Sequence, residues 1–348
     1  MLVAEGAVAS GRSTSSRNPP ADRYDPAPDE IVSREARLMG GRVGIHLEPT
    51  GPSDDDVSTA ASTADVVLRR IAAWADRLTR FSPDSELVRL NGDARPEVPV
   101  GPTLAAILDW GREAETLTGG IVDIGLLDAR LAAEFGQARV VRPDATQVSG
   151  AGHSTASRSW SLRRGQRGAL ITRPVGLRFD LDGIGKGWLA DRALDLLIDY
   201  PTAVVDGDGD IAITLRRGTT WRFGVADPRS PEKDLATIRL VHRGTTRPTA
   251  GRFGLATSGT TVHRWQHRDD VAHHLIDPRT GRSAVTDVVQ ATVLARNTRE
   301  AEAFAKTVVI LGSEDGLAFI NRHDVDAAVV LTDRGEILLP AKSMGWVE

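Results

Sequence analysis

The segment from Asp180 to Asp191 places a glycine-rich turn between a predicted strand and a predicted helix. Its sequence is D-L-D-G-I-G-K-G-W-L-A-D. Alternating apolar residues predict the strand, with one face formed by Leu177, Phe179 and Leu181. Helical spacing predicts the helix, with an apolar face of Leu189, Ala193, Leu196 and Leu197 and a polar face of Asp191, Arg192, Asp195 and Asp199. A helix start has free N–H groups and a positive dipole end, so this junction suits a phosphate group.

Two common phosphate-binding motifs do not fit this junction. A P-loop has a glycine separated by four residues from its Gly-Lys pair and a Ser or Thr after it. Asp180 and Gly187 occupy those positions here. The dinucleotide pattern G-x-G-x-x-G also fails, because Trp188 stands where its last glycine would be. Taken alone, the segment is either a phosphate-binding junction or an ordinary strand-to-helix turn.

The pattern of strands and helices along the chain favours an α+β fold, because the two kinds of element mix without a regular βαβ repeat. Helices are predicted around 67–78, 82–91, 104–117, 189–197 and 299–311. The last has Asn297 and Glu300 as a start signal and Gly312 as a stop. Strands are predicted around 42–47, 203–205, 211–215, 221–225, 238–241, 254–257, 289–294, 327–331 and 336–339. The strand at 221–225 is predicted to pair with that at 211–215.

Composition excludes several classes of protein. The chain has 348 residues, a net charge of −4 and no cysteine. The charge balance does not indicate a nucleic-acid partner, and no apolar run is long enough to insert stably in a membrane. Without cysteine there is no disulfide, thiolate metal site or cysteine nucleophile. A cytoplasmic location is predicted. Residues 1–32 are predicted to be a disordered leader, and the irregular stretch at about 150–167 a connection or surface hairpin.

Four polar clusters follow the junction, and each has a plain structural interpretation beside a functional one. Asp206–Asp210 is not an EF-hand loop, because Ile211 and Arg217 stand where Gly and Glu are required. It is either a flexible turn or part of a site. The others are Ala256–Gly259, His274–Gly281, in which His274 is a candidate base near Asp277, and the helical stretch Glu300–Lys306.

Taken in order, these elements resemble the ApbE-type FAD:protein FMN transferases. The family's D-L-G-G-I-A-K-G-Y-x-x-D, G-G-D, A-T-S-G and H-I-I-D-P-x-T-G elements are similar to Asp180–Asp191, Asp206–Asp210, Ala256–Gly259 and His274–Gly281. Earlier elements match at Met39-Gly40, at Phe81–Asn91 and at Thr118–Asp123, although Gly125 replaces a usual Thr. Seven elements in the same order make the resemblance more specific than any single one, and it covers about residue 37 to the C-terminus.

The resemblance implies both a fold and a reaction. The fold would be a two-lobed, T-fold-related α+β architecture at residues 33–348, with interleaved lobes, largely antiparallel sheets and flanking helices. FAD would be the substrate, and a Ser or Thr hydroxyl of an acceptor protein would attack its pyrophosphate. FMN would then be joined to the acceptor, AMP would leave, and Mg²⁺ would assist. Two alternatives stay open: a non-catalytic FAD-binding protein, and an FAD pyrophosphatase that gives FMN and AMP.

The resemblance also implies roles for individual residues. His274 would transfer the proton, with Asp277 nearby. Gly183 would offer its carbonyl to the metal. The flavin nucleotide would be held by Met39, Phe81, Ile121, Val122, Asp123, Asp180, Lys186, Thr257 and Leu275.

The last helix departs from the family pattern. The family places Asp and Thr, four residues apart, as metal ligands, whereas this chain has Glu302 and Lys306. Glu302 is a hard oxygen donor and suits Mg²⁺, but a protonated lysine cannot ligate a metal. Three interpretations stay open: a metal site with Glu302 as ligand, an exposed i,i+4 ion pair of little weight, or a metal-poor site in which Lys306 supplies part of the charge.

Overall fold

The computed structural model describes residues 31–136, 160–165, 168–242, 251–267 and 270–348. The predicted leader therefore lies outside the described residues except for its last two positions, and so does most of the irregular stretch at 150–167. Its described end, Ser161–Gly165, is a strand in a hairpin with Gly168–Thr172. Within the described ranges, no helix has the length and apolar character needed to cross a membrane.

The strands are numbered in chain order. They are β1 (Val32–Leu38), β2 (Gly41–Leu47), β3 (Glu97–Val100), β4 (Ser161–Gly165), β5 (Gly168–Thr172), β6 (Ala203–Gly207), β7 (Ile211–Thr214), β8 (Thr220–Asp227), β9 (Ser230–Val241), β10 (Arg252–Gly259), β11 (Arg264–His267), β12 (Asp270–His273), β13 (Ile276–Asp277), β14 (Arg282–Ser283), β15 (Val288–Ala295), β16 (Val325–Thr332) and β17 (Ile337–Leu338).

The helices begin and end at recognisable signals. They are α1 (Asp54–Leu78), α2 (Glu86–Gly92), α3 (Pro102–Leu117), α4 (Leu127–Phe135), α5 (Gly185–Leu194), α6 (Thr298–Leu311) and α7 (Ser313–Arg322). The Ser53 side chain accepts from the backbone of Asp56 in a capping box that starts α1. The side chain of Asn297 accepts from the Glu300 N–H and starts α6, and Gly312 ends it, as predicted.

The largest sheet is antiparallel and has eight strands. Its order is β1-β2-β6-β7-β10-β15-β16-β17. Long-range pairing builds its middle, because β2 pairs with β6 and joins Val43 to Gly207. A second sheet has the order β3-β5-β4. Mixed helices and antiparallel sheets confirm the predicted α+β class.

Both faces of the large sheet are covered by apolar side chains. On one face, α1 and α5 pack against β2 and β6, while α6 and α7 pack against β15 and β16. On the other face, the β8–β9 hairpin brings Trp221 and Phe223 onto β7 and β10. The second sheet packs with α3 and the start of α5, whose residues Trp188 and Leu189 join that core. Helix α5 therefore lies between the two sheets, whereas the division into two interleaved lobes stays a prediction.

The strand predicted at Leu177–Leu181 is wrong. The Asn91 side chain occupies the backbone groups that a partner strand would use, since its Nδ2 donates to the Phe179 carbonyl and its Oδ1 accepts from the Phe179 N–H, both at 2.8 Å. The N–H of Asp180 donates to the Ile124 carbonyl at 2.7 Å. The alternation of apolar residues is real, because Phe179 and Leu181 are buried. A side-chain amide satisfies this backbone in place of a sheet.

Two other strand predictions need correction. The first strand is β1 rather than β2, and its exposed charged positions hid it from the apolar pattern. The strand at Trp221–Val225 does not pair with β7, because β6 and β10 already occupy both edges of β7. It pairs with β9 and lies across the face of the sheet instead.

Asp191 was predicted on the solvent face of its helix, but it is buried and holds the start of α6. Its carboxylate accepts from the Thr298 N–H at 3.1 Å and from the Arg299 N–H at 3.0 Å. These two N–H groups belong to the first turn of α6, where no carbonyl of the same helix can reach them. A buried carboxylate therefore ties α5 to α6.

We expect Asp191→Ala to lower the free energy of unfolding by about 2 kcal/mol, because a buried and a partly buried N–H group lose a charged acceptor. Asp195→Ala is the matched control. Asp195 also contacts Arg252, at 2.7 Å, but it is half exposed, and such a pair contributes about 0–1 kcal/mol. Denaturant titration of both variants measures the difference. Equal losses would contradict the capping role of Asp191.

Candidate functional site

A cleft opens where the loop after α3, the junction before α5, the turn at His274 and helix α6 meet. It is lined by Ile121, Val122, Asp123, Ile124, Leu126, Arg130, Asp180, Asp182, Gly183, Ile184, His274, Leu275, Ile276, Lys306 and Ile310. Eight of these were named from the sequence: Ile121, Val122, Asp123, Asp180, Gly183, His274, Leu275 and Lys306. The cleft joins residues that are far apart in the chain.

A glycine turn sets the apolar wall of the cleft. Helix α3 ends at Leu117, and Gly119 and Gly120 follow with φ of 62° and 87°, values that favour glycine. The hydroxyl of Thr118 donates to the Ala114 carbonyl at 2.8 Å and accepts from the Val122 N–H at 3.0 Å. These bonds direct the loop at 121–124 against the junction.

Two carboxylates of the junction face two arginines across the cleft. Arg80 contacts Asp182 at 2.9 Å, and both Arg80 and Arg130 contact Glu134. Burial raises the pKa of Asp180 to about 6, and the neighbouring charge of Asp182 acts in the same direction. Arg130 is buried and lies over the Trp265 ring, 4.5 Å from its centroid.

Lys186 lies in the first turn of α5, beside the predicted G-G-D-like element. Its Nζ is 3.7 Å from Asp210 and 3.9 Å from Asp208. Burial alone would lower the pKa of Lys186, but the charges of Asp210, Asp208 and Glu302 outweigh it and raise that pKa. The lysine is therefore held in its charged form next to the cleft residues of the junction.

His274 lies partly buried in the wall of the cleft. In the described part of the chain, its Nδ1 has no hydrogen-bond partner, and its ring contacts the His263 ring edge-on at 5.3 Å between centroids. Burial lowers the pKa of His274 well below 6.5, and the nearby charge of Lys306 acts in the same direction. A neutral imidazole that lines the cleft is able to accept a proton.

Asp277 does not line the cleft. Its carboxylate binds the backbone N–H of Arg279 at 2.8 Å and the guanidinium of the same residue at 2.9 Å. Its carbonyl accepts from the Gly281 N–H. These contacts make Asp277 the organiser of the turn after His274, and its role in proton transfer stays a prediction.

Besides Lys186, three predicted nucleotide-binding residues lie outside the cleft lining. Met39 has a φ of 55° in the β1–β2 turn, beside the Asp206–Asp210 loop. Phe81 is 71% exposed, and its ring lies 4.2 Å below the Arg80 guanidinium. The hydroxyl of Thr257 is 2.8 Å from that of Thr292.

The residues at the predicted metal site do not fit a divalent cation. A Cβ placed on Gly183 would overlap Lys306 Nζ, so the ammonium group lies against the backbone of the expected carbonyl ligand. Glu302 Oε2 accepts from the Gly187 N–H at 2.9 Å. Among the described residues, no group of three or more His, Asp or Glu side chains is arranged to hold a metal ion.

Two cleft or near-cleft residues were not named from the sequence. Arg80 and Arg130 bind carboxylates around the junction, whereas Asp210, which pairs with Lys186, belongs to the predicted element Asp206–Asp210. A signal for Arg130 existed, because it is four residues before Glu134 on an otherwise apolar helical stretch. For Arg80 the signal was its place directly before Phe81, where the matched family element also has an arginine.

The fold and the cleft define a member of a known family. The chain belongs to the ApbE family, whose sequence model matches residues 39–331. An FAD:protein FMN transferase of Treponema pallidum is 30% identical over 270 residues, covering 72% of each chain. An FAD:protein FMN transferase of Vibrio cholerae is 24% identical over 317 residues, covering 88% of this chain and 90% of that protein.

Solved structures have the same fold. The ApbE protein of Thermotoga maritima has a TM-score of 0.72 at 18% identity, covering 91% of this chain and 99% of its own. The flavin transferase ApbE of Vibrio cholerae has a TM-score of 0.63 at 22% identity, covering the same 91% and 99%.

Proposed function

We propose that this chain transfers the FMN part of FAD to a Ser or Thr hydroxyl of an acceptor protein and releases AMP. Family membership and the names of its relatives support this reaction. The observation that carries it is the joining, in one cleft, of His274, the glycine-rich junction before α5 and the cations Arg130 and Lys306. A cytoplasmic location stays a prediction of the sequence.

The binding groups divide by chemistry. Arg130 and Lys186 offer positive charge to a diphosphate, and the start of α5 offers the positive end of its dipole. Ile121, Val122 and Leu275 offer an apolar wall to the flavin ring. Phe81 exposes an aromatic face close to Arg80 and suits stacking. Asp123, Met39, Asp180 and Thr257 complete the proposed nucleotide contacts.

The proposed reaction needs one proton acceptor. The acceptor hydroxyl attacks the FMN phosphorus, so that an O–P bond forms and the P–O bond to the AMP phosphate breaks. His274 takes the hydroxyl proton, which its place in the cleft lining and the neutral imidazole that follows from its lowered pKa support. No step is assigned to Mg²⁺, although the family resemblance predicts it, because the arrangement of Gly183, Glu302 and Lys306 does not fit a divalent ion.

The proposal is tested by incubating the protein with FAD and an acceptor that carries a Ser/Thr flavinylation site, both with EDTA and with Mg²⁺. Transfer yields flavin fluorescence on the denatured acceptor and an equal amount of AMP. Unchanged FAD under both conditions would exclude an enzyme and favour the non-catalytic FAD-binding protein. Free FMN with AMP, and no labelled acceptor, would favour the pyrophosphatase.

We expect kcat/KM for FAD to fall as the pH drops through about 6. Asp180 takes up a proton near its pKa of about 6, whereas burial lowers the pKa of His274 well below 6.5, so the imidazole is still neutral above that limb. The pH profile of the free enzyme reports these groups. Asp180→Asn mimics the protonated carboxyl, so it should have a low kcat/KM at every pH tested and no limb near pH 6. If kcat/KM of Asp180→Asn still fell on the acid side at pH 6.5 or above, the low pKa of His274 would be contradicted.

A further inference from the structure

The ammonium group of Lys306 lies against Gly183, whose carbonyl the family resemblance makes a metal ligand. Its Cε would be 2.9 Å from a Cβ on Gly183, and its Nζ closer still, so the side chain extends across the backbone of that glycine. Lys306 also lines the cleft together with Asp180 and Asp182. The missing side chain at Gly183 is what allows this approach.

Several carboxylates share this ammonium group. Glu302, Asp180, Asp182 and Asp210 all favour its charged form, although burial acts against them and lowers the pKa of Lys306. In the described part of the chain, no close ion pair ties Nζ to any one of them. Lys306 therefore acts as a common counter-ion with its nitrogen directed into the cleft, and not as the surface i,i+4 partner of Glu302.

Glu302 acts as a hydrogen-bond acceptor between two helices and not as a metal ligand. It is 4% exposed, and its Oε2 holds the N–H of Gly187 in the first turn of α5. A side chain on Gly187 would lie 2.9 Å from Oε2 and 2.8 Å from the Thr298 carbonyl, so the glycine makes this contact possible. Glu302 thus fixes α6 against α5 and sets the position of Lys306 one turn later.

From this geometry we infer that Lys306 Nζ replaces the divalent cation, so that the cleft binds the diphosphate of FAD without a metal ion. Two positive ions cannot share the site beside Gly183, since they repel each other. In the transfer reaction, which rests on the proposed function, the acceptor oxygen bonds to the FMN phosphorus and the AMP phosphate leaves. Lys306 offsets the negative charge of that diphosphate, and the hydroxyl proton goes to His274.

The first test is Mn²⁺ binding to the full-length protein without FAD, measured by electron paramagnetic resonance and calorimetry. We expect no stoichiometric site in the wild type at millimolar Mn²⁺. We expect one site in Lys306→Thr, in which the Thr hydroxyl, the Gly183 carbonyl and the Glu302 carboxylate are free of the ammonium group. A stoichiometric wild-type site that Glu302→Gln removes would overturn the inference, and this measurement needs no lysine variant to fold.

The second test is FAD affinity in EDTA. The wild type should bind FAD, and Lys306→Met should bind it about tenfold more weakly or worse, because a cation that lines the cleft is lost. Lys233→Met, which removes a lysine from the exposed β8–β9 hairpin, is the charge-matched control and should bind normally. Equal affinity in Lys306→Met and the control would overturn the inference. Failure of FMN transfer with intact, metal-free FAD binding would instead refute the proposed reaction alone.

Discussion

Replacing His274 by glutamine is expected to lower the rate of FMN transfer by about 10²–10⁴-fold, the usual contribution of a positioned proton acceptor. The affinity for FAD should change little, because His274 is one of several apolar and polar wall residues of the cleft. Single-turnover labelling of the acceptor measures the rate, and flavin fluorescence titration measures the affinity. Glutamine keeps the approximate size of the ring but accepts no proton.

His263→Gln is the matched control for this variant. Its ring contacts the His274 ring at 5.3 Å between centroids, so it reports what loss of packing alone does to the rate. We expect a change of only a few-fold. Unchanged transfer in His274→Gln would remove the residue from the mechanism, and equal losses in the two variants would assign its effect to packing.

Gly254→Ala is expected to destabilise the protein by about 3 kcal/mol or more, or to prevent folding. A Cβ at this position of β10 would overlap backbone atoms of Asn297 and Thr298. Backbone atoms at a helix start cannot swing aside as a side chain does. Because α6 carries Glu302 and Lys306, any shift of its start also displaces the cleft. Denaturant titration and FAD titration of the same variant measure both effects.

The control glycine for this experiment is Gly92. It ends α2, has no heavy atom within 4 Å of an added Cβ, and lies in a helix, so Gly92→Ala should be neutral or stabilising by up to about 1 kcal/mol. If Gly254→Ala were as stable as Gly92→Ala, the close packing of β10 against α6 would be contradicted.

Local chemistry made part of the fold predictable. Asn297, Glu300 and Gly312 set the bounds of α6 because caps act within one turn, and the structure has them as predicted. The order of the polar elements likewise brought His274, Asp180 and Gly183 into the same predicted site, and all three line the cleft.

Contacts between distant residues were not predictable in this way. The Asn91 side chain forms two hydrogen bonds with the Phe179 backbone. The sequence around neither residue indicates this contact. Asp191 has the helical spacing of an exposed residue, yet it caps another helix. The position of Lys306 against Gly183 also depends on how α6 packs on α5, which the sequence alone does not specify.

The pairing of β2 with β6 has a consequence for synthesis of the chain. Strand β2 is synthesised early, but it can pair with β6 only after the chain has been extended to Gly207. The cleft additionally needs His274 and Lys306, which are synthesised later still. Contacts so distant in sequence slow folding, because a long loop must close before they form. An N-terminal fragment that stops before α6 is therefore not expected to bind FAD. FAD binding should arise late in synthesis, once α6 has been made.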